Sequence, residues 1–89
     1  MYLASLPNLD DNSKRALSVI QKLGVVPGFQ LMSEASLNGV EMVQVAGNLI
    51  KYGLISASGP VSNANEIGSA YFNIRPSSRD LTDVVLNSQ

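Results

Sequence analysis

Hydrophobic residues recur at helical spacing along much of the chain, and short polar or glycine-containing turns separate these stretches. The first pattern covers residues 10–23, where Ala16, Leu17, Ile20 and Leu23 lie three or four positions apart. That spacing puts apolar side chains on one face of an α-helix. Acidic residues at the start of the stretch suit the positive end of a helix. A first helix is therefore predicted over residues 10–23.

Two further helices are predicted over residues 29–36 and 40–52, after a Pro-Gly connector at residues 25–28. Asn38-Gly39 is predicted to form the tight turn between them. Gly53 is predicted to end the longer helix, because a left-handed conformation costs glycine little. The apolar positions of the longer helix fall on one face, and they are Met42, Val45, Ala46 and Leu49.

A β-hairpin and a last helix are predicted to follow. Residues 54–58 and 67–74 are typical of strands, and residues 59–65 between them have loop composition. Pro76 ends the second strand, and Ser77 or Ser78 is predicted to cap a C-terminal helix. The predicted organisation is an N-terminal arm at residues 1–9, one domain at residues 10–76, and a C-terminal helix and tail at residues 77–89.

The stretch from residue 36 to residue 55 resembles the winged helix-turn-helix superfamily. The resemblance is carried by Asn38-Gly39, by Leu49, and by the run Gly53-Leu54-Ile55, and it extends over residues 10–76. It implies a mainly α fold with a small β-hairpin (α+β). That fold would have three helices, a two-stranded wing and the C-terminal helix. It also implies that the outward face of the third helix is the surface that contacts a partner, although folds of this kind host many functions.

Composition argues against a dedicated nucleic-acid binder. The 89 residues carry six basic and seven acidic side chains, a formal net charge of −1 and a sequence pI of about 5.0. A basic excess is the usual source of affinity for phosphates. Hydrophobic residues make up 45% of the chain and charged residues only 15%. This apolar balance favours a dimer or a larger assembly.

The chain lacks the residues that several classes of chemistry require. The chain contains neither cysteine nor histidine, which removes thiolate ligands and the commonest metal ligand and general base. Nucleophile-elbow and phosphate-loop motifs are also missing. We therefore predict no enzyme activity, cofactor, metal or small-molecule substrate. With no apolar run of about 18 residues and no secretory leader pattern, a cytoplasmic protein without a membrane contact is expected.

The outward face of the third helix carries the main functional prediction. Val40, Val43, Gln44 and Gly47 are expected to face away from the core. This surface combines two apolar residues with a glycine that weakens the helix, and it carries few charges. This pattern predicts a regulatory module that binds a protein partner, or a second copy of itself, through these four residues.

The alternative is a DNA-binding domain of a transcription regulator. Gln44, Asn48 and Lys51 would then face a groove of duplex DNA, and Arg75 or Arg79 would contact phosphates. Residues 59–65 of the predicted wing contain no lysine or arginine. The wing therefore lacks the basic residues that commonly contact DNA in the family.

Overall fold

Four helices and a small three-stranded antiparallel sheet make up residues 9–87, which are the residues that the computed structural model describes. The helices are α1 (Asp11–Leu23), α2 (Gly28–Ala35), α3 (Gly39–Lys51) and α4 (Arg79–Asn87). The strands are β1 (Val26–Pro27), β2 (Ile55–Ser58) and β3 (Tyr71–Ile74), and two short 3-10 helices cover Ile67–Ser69 and Pro76–Ser78. The predicted N-terminal arm lies outside the described residues except for Leu9, which is buried.

The four predicted helices are present, and side-chain caps define the starts of α1 and α3. Asp10 precedes α1, and its side chain accepts a hydrogen bond from the Ser13 N–H at 2.9 Å. At α3 the Asn38 side chain accepts from the Glu41 N–H at 2.8 Å, and the Glu41 carboxylate accepts from the Asn38 N–H at 2.9 Å. This reciprocal capping box satisfies two donors that a helix start leaves free.

The prediction of a tight turn at Asn38-Gly39 was wrong. Asn38 is the cap of α3 and Gly39 is the first helical residue. The turn begins instead at Ser36, which ends α2 in the left-handed conformation with φ of 58°. Arg15 of α1 supports this end of α2, because its Nε donates to the Ala35 carbonyl at 3.1 Å. A cation at a helix C-terminus complements the negative end of the helix dipole.

The prediction of a two-stranded hairpin was incomplete, since the sheet has three strands in the order β1-β3-β2. Val26 pairs with Phe72 on one side of β3, and Ala57 pairs with Phe72 on the other. The sequence pattern assigned Val26 to a connector, because a two-residue strand is too short to show an alternating pattern. Its pairing depends on a partner far along the chain.

The connection between β2 and β3 also differs from the prediction. The strand expected over residues 67–74 starts only at Tyr71, and Ile67–Ser69 form a 3-10 helix with Ile67 fully buried. The Gly28 N–H donates to the Ala70 carbonyl at 2.7 Å, which attaches this segment to the start of α2. The connection therefore packs on the helices and does not extend freely from the sheet.

One hydrophobic core lies between the helices and the inner face of the sheet. The apolar face predicted for α3 is buried as expected, and α1 buries all of its predicted apolar positions except Leu23. In α4 Val85 is buried. Ser78 does not cap this helix as predicted, because it lies in the 3-10 helix Pro76–Ser78 and its hydroxyl donates to the Gly53 carbonyl at 2.6 Å. The largest fully buried side chains are Phe72, Leu17, Ile20, Leu31, Met42, Leu49, Leu54, Ile55, Ile67, Val26, Val45 and Val85.

The cap of α1 makes the stability of the fold depend on pH. The Ser13 side chain and the Ser13 N–H both lower the pKa of Asp10 from its ordinary value of 3.8, because they favour the carboxylate. A lowered folded-state pKa means that this stabilisation is complete above the unfolded-state pKa. It is lost as pH falls through the folded-state pKa.

We expect Asp10→Asn to keep a capping oxygen and to remove this titration. Urea unfolding at a series of pH values from about 7 down to about 2 measures the effect. The unfolding free energy of the variant should fall less steeply with acid than that of the unmodified chain. Equal slopes for the two proteins below about pH 4 would contradict the assignment.

Candidate functional site

The side of α3 that faces away from the core is exposed along its whole length. We call this surface the α3 face; it consists of Val40, Gln44, Gly47, Asn48 and Lys51, all of which are exposed. The Val40 side chain is 62% exposed, comparable with Val25 at 66% and Phe29 at 64% elsewhere on the surface. The α3 face contains three of the four predicted partner-binding residues and three of the five predicted for DNA.

Val43 was predicted to lie on this outward surface, but it does not. Its side chain is partly buried and packs against the core. Ile50 lies about two helical turns further along. It was not predicted as a site residue, yet it is 36% exposed. The two side chains form an apolar edge between the core and the α3 face. Their seven-residue separation is visible in the sequence, but the depth of each side chain depends on what packs beside α3.

Gly47 is a glycine that the fold of residues 9–87 does not require. A Cβ atom built at Gly47 meets no heavy atom within 4 Å. Its backbone is helical, and glycine inside a helix destabilises it by about 1 kcal/mol relative to alanine. Gly39 is different, because a Cβ there would lie 2.6 Å from the Ala64 carbonyl oxygen. The shallow notch at Gly47 is therefore a property of the α3 face alone.

Charge is sparse on and around the α3 face. Glu41 and Lys51 are the charged residues of α3. Glu41 is held in the capping box at the start of the helix. Lys51 lies in the last turn, where a cation complements the helix dipole. The loop between β2 and β3 comes close to the start of α3 at Ala64, but it supplies no basic residue to that end.

The two arginines of the DNA alternative lie in different places. The Arg75 guanidinium is near Gly53, with Nη1 3.9 Å from a Cβ built at that glycine, and so lies near the C-terminal end of α3. Arg79 instead lines a cleft of about 390 Å³ that includes residues of α1, β3 and α4 but none of α3. In that cleft the Gln21 amide donates to the Asp83 carboxylate. The structure thus groups Arg75 with α3 and separates Arg79 from it.

Comparison with known proteins supplies no further constraint. No family model, curated protein or solved structure matches this chain. Within residues 9–87, no cluster of three or more acidic, histidine or cysteine side chains forms a metal-binding group. Among the helices of the same region, none has the length and apolar character needed to cross a bilayer.

Substituting Gly47 tests whether the fold requires a glycine at this position. We expect Gly47→Ala to raise the unfolding free energy by about 1 kcal/mol, because alanine has the higher helix propensity and meets no neighbour. Chemical denaturation measures the change.

Gly28→Ala is the matched control. A Cβ at Gly28 would overlap the backbone carbonyl of Ile67, so this substitution should destabilise the protein strongly. If Gly47→Ala destabilises as well, the exposed notch has a structural role in the isolated chain, and the interpretation given above is wrong.

Proposed function

We propose that this chain is a winged-helix regulatory module that acts by association with protein, through the α3 face. Binding rather than catalysis is the activity that the residues support best. The observation that carries the proposal is the α3 face itself, an exposed helix surface with an apolar residue and a glycine that the fold does not need. The interaction would also include the apolar edge formed by Val43 and Ile50.

The arrangement of elements supports the winged-helix part of the proposal. Only three residues join α2 to α3, a connection length typical of helix-turn-helix motifs. Strands β2 and β3 follow as an antiparallel pair, and their connection returns to the start of α3. One exposed helix and one end of the hairpin thus lie near each other, which supports the winged-helix assignment proposed here.

The chemistry of the α3 face suits a protein partner. The centres of protein–protein interfaces are depleted in charged residues, and the middle of the α3 face carries Gln44 and Gly47 without any charge. Glycine lets a second backbone approach a helix more closely than any other residue does. Val40, at 62% exposure, offers apolar area that association would remove from water.

DNA binding is the alternative, and one observation favours it. Gln44, Asn48 and Lys51 are all exposed on the α3 face, and the Arg75 guanidinium lies close to the end of the same helix. Glutamine and asparagine read adenine edges, and cations bind phosphates. Against it stand the net charge of −1 and the absence of basic residues in the β2–β3 loop. Together these leave little electrostatic attraction for DNA.

Titration with generic duplex DNA at two salt concentrations tests between the two functions. We expect no saturable binding at low salt, because the α3 face offers few cations to replace counterions. Fluorescence anisotropy of a labelled duplex gives the measurement. Binding that weakens steeply between about 50 and 200 mM salt, and that is lost in the variant Lys51→Gln, would overturn the proposal in favour of the DNA alternative.

Site-specific photo-crosslinking in cells that naturally express the chain tests the protein-binding function directly. A photoreactive residue replaces Val40 in one variant and Lys22, exposed on α1, in the control. We expect a discrete adduct from position 40 and none from position 22, since only the first lies on the α3 face. A second variant at Gln44 guards against local effects of the probe. The absence of an adduct at both α3 positions would contradict the proposal.

A further inference from the structure

The exposed residues of α3 have the spacing of a helix-pairing seam. Val40, Gln44, Gly47 and Lys51 are separated by four, three and four positions and are all exposed. Residues at such alternating intervals lie on one stripe of a helix, the geometry of the contact line in a coiled coil. Here the stripe holds a valine, a glycine and two long polar side chains. We call these four residues the α3 seam.

The two sides of the α3 seam differ in character. Val43 and Ile50, seven positions apart, flank the seam on its apolar side, where both are partly exposed. Glu41 and Asn48, also seven positions apart, flank it on the polar side. A helix partner that fits this surface must therefore offer apolar side chains along one edge and polar ones along the other.

We infer that the occupant of the α3 face is a second copy of this chain, with the two α3 helices packed antiparallel about a two-fold axis. This inference rests on the function proposed above and specifies its partner. A two-fold interface uses the same patch on both subunits, so that patch must be complementary to itself. The α3 seam meets that condition in the antiparallel direction.

Size complementarity within the α3 seam is the first argument. In the antiparallel register centred between Gln44 and Gly47, Gln44 lies opposite the partner subunit's Gly47. The long amide side chain then fills the notch that the missing side chain leaves. Val40 lies opposite the partner subunit's Lys51, whose methylene groups cover apolar surface while its ammonium group stays in water. Each contact occurs twice by symmetry.

Charge and edge complementarity are the second argument. The antiparallel direction brings the Glu41 end of one helix to the Lys51 end of the other, so opposite charges and opposite helix-dipole ends become neighbours. In the same arrangement Val43 lies beside the partner subunit's Ile50, and apolar edge meets apolar edge. Asn48 lies on the polar side near the partner subunit's Glu41.

Parallel packing lacks these matches. It would bring the two Lys51 side chains together at the same end of the pair, where like charges repel. It would also set the two Gly47 residues opposite each other and the two Gln44 residues opposite each other. Large side chains would then meet large ones, and the notch would remain empty. The direction of packing is thus determined by the residues of the α3 seam.

Sedimentation velocity over a range of concentrations tests the dimer. A single helix pair is smaller than the roughly 1,200–2,000 Å² of a standard interface, so we expect reversible dimerisation that dilution dissociates. Gly47→Leu fills the notch with a good helix former and should weaken dimerisation at least tenfold without loss of folding. Lys22→Leu on α1 is the control and should leave the dissociation constant unchanged. The inference would be overturned by a monomer at every concentration, or by a Gly47→Leu variant that dimerises as tightly as the unmodified chain.

Disulfide crosslinking tests the direction of packing. The chain has no cysteine of its own, so disulfides can form only between the introduced cysteines. Mixing the variants V40C and K51C under mild oxidation should give mainly the mixed disulfide. Either variant alone should give much less crosslinked dimer. Efficient crosslinking of V40C to itself would instead indicate parallel helices and overturn the antiparallel arrangement.

The outcomes distinguish this inference from the function on which it rests. An adduct at position 40 with twice the mass of the chain supports both. An adduct of another mass from a chain that sediments as a monomer overturns the dimer and leaves the protein-binding function standing. A monomeric chain with no adduct at position 40 or 44 contradicts both.

Discussion

The backbone of the segment that leads into β3 packs directly on the first turn of α2, and the position of the hairpin depends on this contact. Gly28 donates its N–H to the Ala70 carbonyl at 2.7 Å, and any side chain at Gly28 would overlap the Ile67 carbonyl. Only glycine permits so close an approach of two backbones. Ile67, buried on the same segment, then joins the core between the helices.

The arrangement around α3 follows from this junction. With the end of the connection held on α2, the preceding loop passes close to the start of α3, where Ala64 lies against Gly39. Strand β3 lies between β1 and β2, and Phe72 is buried at the centre of the sheet. One face of α3 is covered by α1, β2 and the 3-10 helix at Ile67–Ser69, while the opposite face has no cover from residues 9–87. The α3 face is therefore an exposed helical surface on the outside of the core.

The glycines of this chain differ in whether the fold requires them. Gly28 and Gly39 are required by close contacts inside the fold. Gly47 is in an ordinary helical position with open space around it and weakens the helix that carries it. Functional surfaces are one place where natural proteins accept such local losses of stability. An unneeded glycine beside the sparse charge of α3 supports the proposed protein contact.

The sequence by itself determined the helices, because their apolar spacing, caps and glycine stops act within a few residues of each other. The buried stripe of α3, from Met42 to Leu49, and the outward position of Gln44 and Gly47 were predictable for this reason. The tertiary structure decided four other features. These are the short strand β1, the 3-10 helix at Ile67, the partial burial of Val43 and the separation of Arg79 from α3. Each depends on which distant segment packs beside it, and periodicity within a segment carries no information about such partners.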